Sequence, residues 1–388
     1  MRRTYKKKIK KILICFAVIL GSPIIASVMI KSMPAMTVLA GKVANISAGI
    51  TLGEKIETKK PATTEAAENV VVNDSFDDTD MLSTGMASDL IPSSDNEEVV
   101  VPQTDASTGP KPYPDKIETH SGTISVMQYM KSDGTQFFAL DKGGQVRNTT
   151  SVATTDLIAE GKLAPKFTVD FNGEPQVLIM HTHTTESYEP YERNFYDASF
   201  NSRTTDESKN MVSVGNKIQE QLSAAGINVI HDKTIHDYPS YNGSYDRSAV
   251  TVKAILAQYP SIKIVLDVHR DAIEKDDGSR VAPTVSIDGK NAAQVMIISG
   301  ADNGKLNMPN YMQNFRFASL LQQEMESDYP GLTRPIFFAY RKYNQDLTTG
   351  SILIEVGGHA NSIDEAQYSG ELIGKSLVSA LEKIKTKS

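Results

Sequence analysis

Val177-Leu-Ile-Met-His-Thr-His183 sets four apolar residues directly ahead of two imidazoles. Two later stretches repeat the pattern. Ile262-Lys-Ile-Val-Leu-Asp-Val-His269 ends in a histidine, and Ser351-Ile-Leu-Ile-Glu355 ends in a glutamate. Short β-branched runs separated by helical spacing read as parallel strands covered on both faces. In such sheets ligands bind off the carboxyl ends of the strands. Two imidazoles and a carboxylate brought to one edge, with Glu186 just after the first strand, form a donor set suited to a hydrolytic metal ion.

The rest of the carboxyl-terminal half supports the same architecture. Asp206 to Ala225 carries Met211, Val214, Ile218 and Leu222 at helical spacing, and Gly226 follows as a stop. Tyr245 to Gln258, Asn310 to Ser327 and Asp364 to Lys385 read as further helices. Strands are expected at 227–230 and 336–338, with a strand pair at 285–287 and 293–299. The fold expected for 174–388 is α/β, a three-layer arrangement with a mostly parallel sheet flanked by helices. Residues 113–173 alternate in polarity around Asp133-Gly134 and Gly143-Gly144, and read as a small β-rich lead-in element.

Charge is unevenly spread along the 388 residues, although the net value is only −7. Residues 1–11 hold seven cations and no acid, a basic cytoplasmic tail. Residues 12–30, ILICFAVILGSPIIASVMI, carry no charge and at about 1.5 Å per residue nearly span a bilayer core of about 30 Å. The cations ahead of the run place the amino terminus in the cytoplasm and the remainder outside it. The run is long for a cleaved signal peptide, which leaves an uncleaved signal anchor as the expectation. Residues 31–112 form a linker; their acidic, Ser/Thr/Pro-rich part from 58 lacks the hydrophobicity to repay ordering, so a disordered tether is expected ahead of the domain. The lone Cys15 cannot close an internal disulfide, and the catalytic region has no thiol. Nothing in this pattern points to nucleic acid.

The candidate site has four principal members. His183 lies just past its strand, and Glu186 follows at a spacing that places both on one face if a turn or helix begins there. His181 competes with His183 as the ligand, or serves as a neighbour or substrate contact. His269 closes the second run, and Asp267, two residues earlier on the same strand face, can orient an imidazole from behind. Arg270 is placed to meet a substrate carboxylate or carbonyl. Glu355, inside an apolar run, is the candidate base that takes a proton from water and returns it to a leaving amine. Asn361 and His359, on the loop after Gly357-Gly358, can line the pocket. The aromatic loop 184–205 fits either a groove wall for an extended substrate or local packing.

HTHTTES, DVHRDA, YNQDL and LIEVGGHAN, in that order, resemble the stage II sporulation protein P family, which is similar to the zinc-dependent N-acetylmuramoyl-L-alanine amidases. The resemblance covers about 175–388. It implies an amidase-like fold, one Zn2+ held by His183, Glu186 and His269, and Glu355 as the catalytic glutamate. The amidases usually carry a Gly-His-Gly turn and a more distant glutamate ligand, where this chain has HTHTTE. The resemblance further implies peptidoglycan as substrate, stem-peptide endopeptidase activity beside the amidase activity, and a role in forespore engulfment. It implies partnership with stage II sporulation protein D and stage II sporulation protein M at the membrane. Two alternatives remain open: a zinc peptidase acting only on stem-peptide crosslinks, and a non-catalytic wall-binding or scaffolding module.

Overall fold

The computed structural model describes residues 119–171 and 173–387. In chain order these form β1 (Gly122–Met127), β2 (Phe137–Ala139), β3 (Gln145–Asn148), α1 (Thr154–Glu160), β4 (Val177–Met180) and β5 (Phe195–Tyr196). Then come α2 (Met211–Ala224), β6 (Val229–His231), α3 (Ser244–Gln258), β7 (Ile264–Asp271), β8 (Arg280–Ile287) and β9 (Lys290–Ala293). The chain closes with β10 (Val295–Gly300), α4 (Tyr311–Asp328), β11 (Ile336–Ala339), β12 (Gly350–Gly358) and α5 (Ile363–Lys383).

Eight strands make the main sheet in the order β2-β3-β11-β10-β12-β7-β4-β6. Five of its seven pairings are parallel. The exceptions are β10 against β12 and β2 against β3. The sheet is covered on both faces, and the alternation of side chains shows how. Val177 and Ile179, Ile264, Leu266 and Val268, and Ile352, Ile354 and Val356 enter one large core with residues of α2, α4 and α5. Leu178, Met180 and Val265 point the other way, against Val252 of α3. Leu353 packs on that opposite face with Ile298 and Phe337. This period of two fixes on which face each later residue of these strands emerges.

Local chemistry sets the helix ends. Asn210 caps α2 by accepting from the Val212 amide at 3.0 Å, so the helix starts at Met211 rather than Asp206. Gly226, with φ of 76°, provides the left-handed stop after α2. Ser362 and Glu365 form a reciprocal capping box that starts α5.

Three expectations change. Among the described residues no helix is long and apolar enough to cross a membrane. The basic tail 1–11, the span 12–30 and the linker 31–112 lie outside the described residues. The fold class of the described residues is an α/β domain; the expected transmembrane helix and linker are not among them. Secondly, 285–287 and 293–299 do not pair with each other. β8 turns back on β9, and after Gln294 the chain crosses to β10 in the main sheet. Thirdly, the lead-in strands are built into the domain. β2 and β3 extend the main sheet, whereas β1 joins β5, β8 and β9 in a second, four-stranded sheet.

Candidate active site

The strand alternation sends His269 and Asp267 to the face covered by α3, and Glu355 emerges there too, directly paired with His269 across adjacent parallel strands. His183 reaches this face from beyond β4, its ring centroid 5.2 Å from that of His269. Glu186, held by a backbone turn to His183 (3.2 Å), places Oε2 3.7 Å from His269 Nδ1. His183, Glu186, His269 and Glu355 are each between 3% and 6% exposed. The structure therefore gathers residues separated by up to 172 positions into one buried cluster at the carboxyl edge of the sheet.

Supporting contacts hold these side chains from behind. Asp267 Oδ1 lies 2.7 Å from His269 Nε2, and Asp267 is itself fixed by the amide and hydroxyl of Thr182 at 2.8 and 2.7 Å. His269 is thus tied on its Nε2 side to a carboxylate and turns Nδ1 toward Glu186. Glu186 Oε2 accepts from the Arg270 amide at 3.2 Å, and Oε1 lies 3.4 Å from the Arg203 guanidinium. His183 is stacked on Tyr241 at 4.5 Å and meets Ser244 Oγ through Nδ1 at 3.3 Å. Tyr245 stacks against both His269 and Tyr343.

Electrostatics follow from this burial. Desolvation alone would lower the pKa of His269, but Asp267, Glu186 and Glu355 outweigh it and raise the value to about 9. His183 moves the opposite way, held well below its ordinary range by burial and then by the nearby His269 charge. Glu355 is pushed up to about 8 by burial, with Asp271 adding repulsion, and its Oε2 has no hydrogen-bond partner. A proton on His269 is what balances three surrounding carboxylates.

These residues fit a divalent cation by donor type and by charge. As placed, however, no group of three or more His, Cys, Asp or Glu side chains among the described residues could hold a metal ion. The observations that favour a cation are the orphaned buried Glu355 oxygen, the 3.7 Å separation of His269 Nδ1 from Glu186 Oε2, and the carboxylate behind His269. A carboxylate–imidazole pair of that kind fixes the tautomer of a ligating histidine. A dication placed among these side chains would balance the carboxylates in place of the His269 proton.

Two residues named from the sequence stand elsewhere. His181 is the residue between two that face α3, so it points to the opposite side, toward α2. There its Nδ1 donates to Val268 O at 2.8 Å and its Nε2 accepts from His231 Nε2 at 2.9 Å. Its separation from the cluster follows from the pleat. Asn361 is fully buried, with Oδ1 accepting from Gly358 N at 2.9 Å and Nδ2 donating to Pro283 O and Thr284 Oγ1. It fixes the loop after β12 and is not open to substrate. In the loop 184–205, Tyr188 and Phe200 are buried in packing, and Tyr188 donates to Val356 O at 2.9 Å. Arg203, Tyr241, Ser244 and Tyr245 surround the cluster without having been singled out for it.

Fold and site together define an α/β protein with a buried imidazole–carboxylate cluster off the carboxyl ends of its central strands. The family described as Stage II sporulation protein P (SpoIIP) matches residues 41–377, and the chain belongs to that family. Stage II sporulation protein P of Bacillus subtilis strain 168 is 33% identical over 204 residues, which cover 49% of this chain and 47% of that protein. The chain thus spans about half the length of this curated relative. Two solved N-acetylmuramoyl-L-alanine amidases also align. AmiC2 of Nostoc punctiforme is 11% identical with a TM-score of 0.33, covering 54% of this chain and 97% of that one. Ami1 of Mycobacterium smegmatis is 14% identical with a TM-score of 0.33, covering 55% and 99%. TM-scores of this size do not establish a shared fold.

Proposed function

We propose that this protein is a peptidoglycan hydrolase that cuts the amide bond between N-acetylmuramic acid and the first alanine of the stem peptide, with stem-peptide endopeptidase activity beside it. The observation that carries the reading is Glu355: a buried carboxylate with an unbonded oxygen, in strand register with His269 and within the cluster completed by His183 and Glu186. Membership of the sporulation family supports the substrate class and the setting.

His183, Glu186 and His269 would hold a zinc ion, which when bound supplies a Lewis acid for the scissile carbonyl and lowers the pKa of the attacking water. Asp267 holds the His269 ring in one orientation. Glu355 takes the proton from water and returns it to the leaving amine. Low exposure of all four residues keeps bulk water from screening the charges that develop. The place of work is outside the cytoplasm, where the wall lies, during forespore engulfment. Stage II sporulation proteins D and M are the proposed partners there.

The test is mass analysis of muropeptides after purified peptidoglycan is digested with the full-length chain. Free stem peptides with bare glycan are expected, together with shortened crosslinks if the endopeptidase activity is present. Shortened crosslinks alone would leave a peptidase, and an unaltered wall that still binds the protein would leave a scaffold.

A further inference from the structure

Beside the cluster lies a cavity of about 370 Å3, lined in part by Ser202, Arg203, Arg270, Glu274, Arg280 and His359. Its size falls in the range of ordinary ligand sites, but its lining is charged where most are apolar. It adjoins the cluster through two residues: the Arg270 amide and the Arg203 guanidinium both hold Glu186.

The cations here are incompletely matched. Arg270, 7% exposed, donates from its guanidinium only to main-chain oxygens: Ser187 at 2.7 Å, Asp271 at 3.2 Å and Ser202 at 2.9 Å. Among the described residues no carboxylate forms an ion pair with it. Arg280 lies over the Tyr196 ring at 3.8 Å and gives Nε to Glu274 at 3.2 Å, but its buried Nη1 has no partner. His359, 4% exposed, has no hydrogen bond on either ring nitrogen, although Nε2 lies 3.4 Å from Glu274 Oε1. Buried donors left unpaired are unfavourable by about 1–3 kcal/mol each unless something comes to meet them.

Glu274 shows what that something is. Its side chain is 52% exposed, at the rim, and its carboxylate sits between Arg280 and His359. The contact with His359, and then the Arg280 charge, hold the Glu274 pKa down at about 2. His359 is kept neutral by burial, with its own pKa at about 4, so the pair offers one guanidinium fork and one neutral N–H. That set suits a singly charged, planar carboxylate.

We propose that this cavity is a specificity subsite for a free carboxylate on the peptide portion of the substrate, bound by Arg280, His359 and Arg270, with Glu274 as a resident stand-in that swings out when the substrate enters. The proposal rests on the peptidoglycan-hydrolase reading and adds how that site selects its peptide. Charge-assisted hydrogen bonds of this kind make an acid preferred over its amide by roughly tenfold to a hundredfold.

The test compares synthetic muramyl peptides that differ only in carrying free carboxylates or primary amides, with single amidation at the second or at the terminal residue to show which carboxylate is read. With the full-length wild type, the acid form is expected to have the lower KM, roughly tenfold or more, with kcat little changed. Arg280→Gln should collapse that acid-to-amide ratio toward one. Glu274→Gln, which removes the competing carboxylate, should lower KM for the acid form further. Equal KM for acid and amide in the wild type, or an undiminished ratio in Arg280→Gln, overturns the subsite while leaving the hydrolase reading intact. If neither form is cut, the hydrolase reading fails instead. Calorimetric binding of the same pair to Glu355→Gln then decides the subsite: preference for the acid upholds it, and equal affinity overturns it.

Discussion

At the residue scale, the pleat of three strands does most of the selection. His181 and His183 are two apart, yet only His183 joins His269: His181 directly follows β4 and keeps its alternation, whereas His183 lies in the turn beyond it. Both histidines were visible in the sequence as candidates; the face on which each emerges was not, because the end of β4 could not be placed to a single residue. Asp267 behind His269 was legible from the i, i+2 spacing. Arg203, Ser244 and Arg280 were not, because nothing local distinguishes a polar side chain that reaches the site from one left in solvent. For metal-free full-length protein, a calorimetric zinc titration should show about one site. His269→Ala removes one of the three donors and should weaken that binding at least a hundredfold. Undiminished binding in the variant would remove His269 from the ligand set.

At the element scale, close approach of α2 and α5 holds the larger core against the sheet. A Cβ on Gly370 would come within 2.8 Å of Val214 O, and one on Gly374 within 2.8 Å of the Gln221 Cβ. Gly to Ala inside an exposed helix ordinarily stabilises by up to about 1 kcal/mol. Here the facing group at Gly370 is backbone, which cannot turn aside, so overpacking of about 1–3 kcal/mol decides the sign. Gly370→Ala should therefore lower the thermal midpoint by several degrees; an unchanged or higher midpoint would mean the helices have room to part. The helices were the most legible part of the fold. α3, α4 and α5 fall within two residues of their expected ends, because apolar spacing and caps are local signals. Sheet order was not legible. Whether 295–300 pairs with its sequence neighbour β9 or with β12 depends on which surface remains uncovered, a property of the assembled sheet.

At the scale of the whole molecule, buried neutral imidazoles should make stability fall in acid. His181 and His231 face each other through Nε2 at 2.9 Å, and His231 Nδ1 is buried without a partner. Burial comes first for both; the His269 charge also lowers His181, and the His181 charge lowers His231, so the pKa of His181 falls to about 4 and that of His231 to about 2. Both folded values lie below the ordinary value of about 6.5. The unfolded chain then binds more protons in acid, so stability is complete above about pH 6.5 and is lost as pH falls. The pair's share is on the order of a few kcal/mol. His231→Gln keeps a donor to His181 and cannot charge, so the thermal midpoint should fall less steeply between pH 6.5 and 4. An identical slope would mean that other groups carry the acid sensitivity.

The central claim is that Glu355 does chemistry in a cluster whose other members bind the cation. The most direct measurement is the rate of stem-peptide release from purified peptidoglycan by Glu355→Gln, at zinc content matched to the wild type. Release reduced at least a thousandfold, with zinc and thermal midpoint retained, is the expected result; loss of a general base alone accounts for about 10²–10⁴. Release at the wild-type rate would contradict the account.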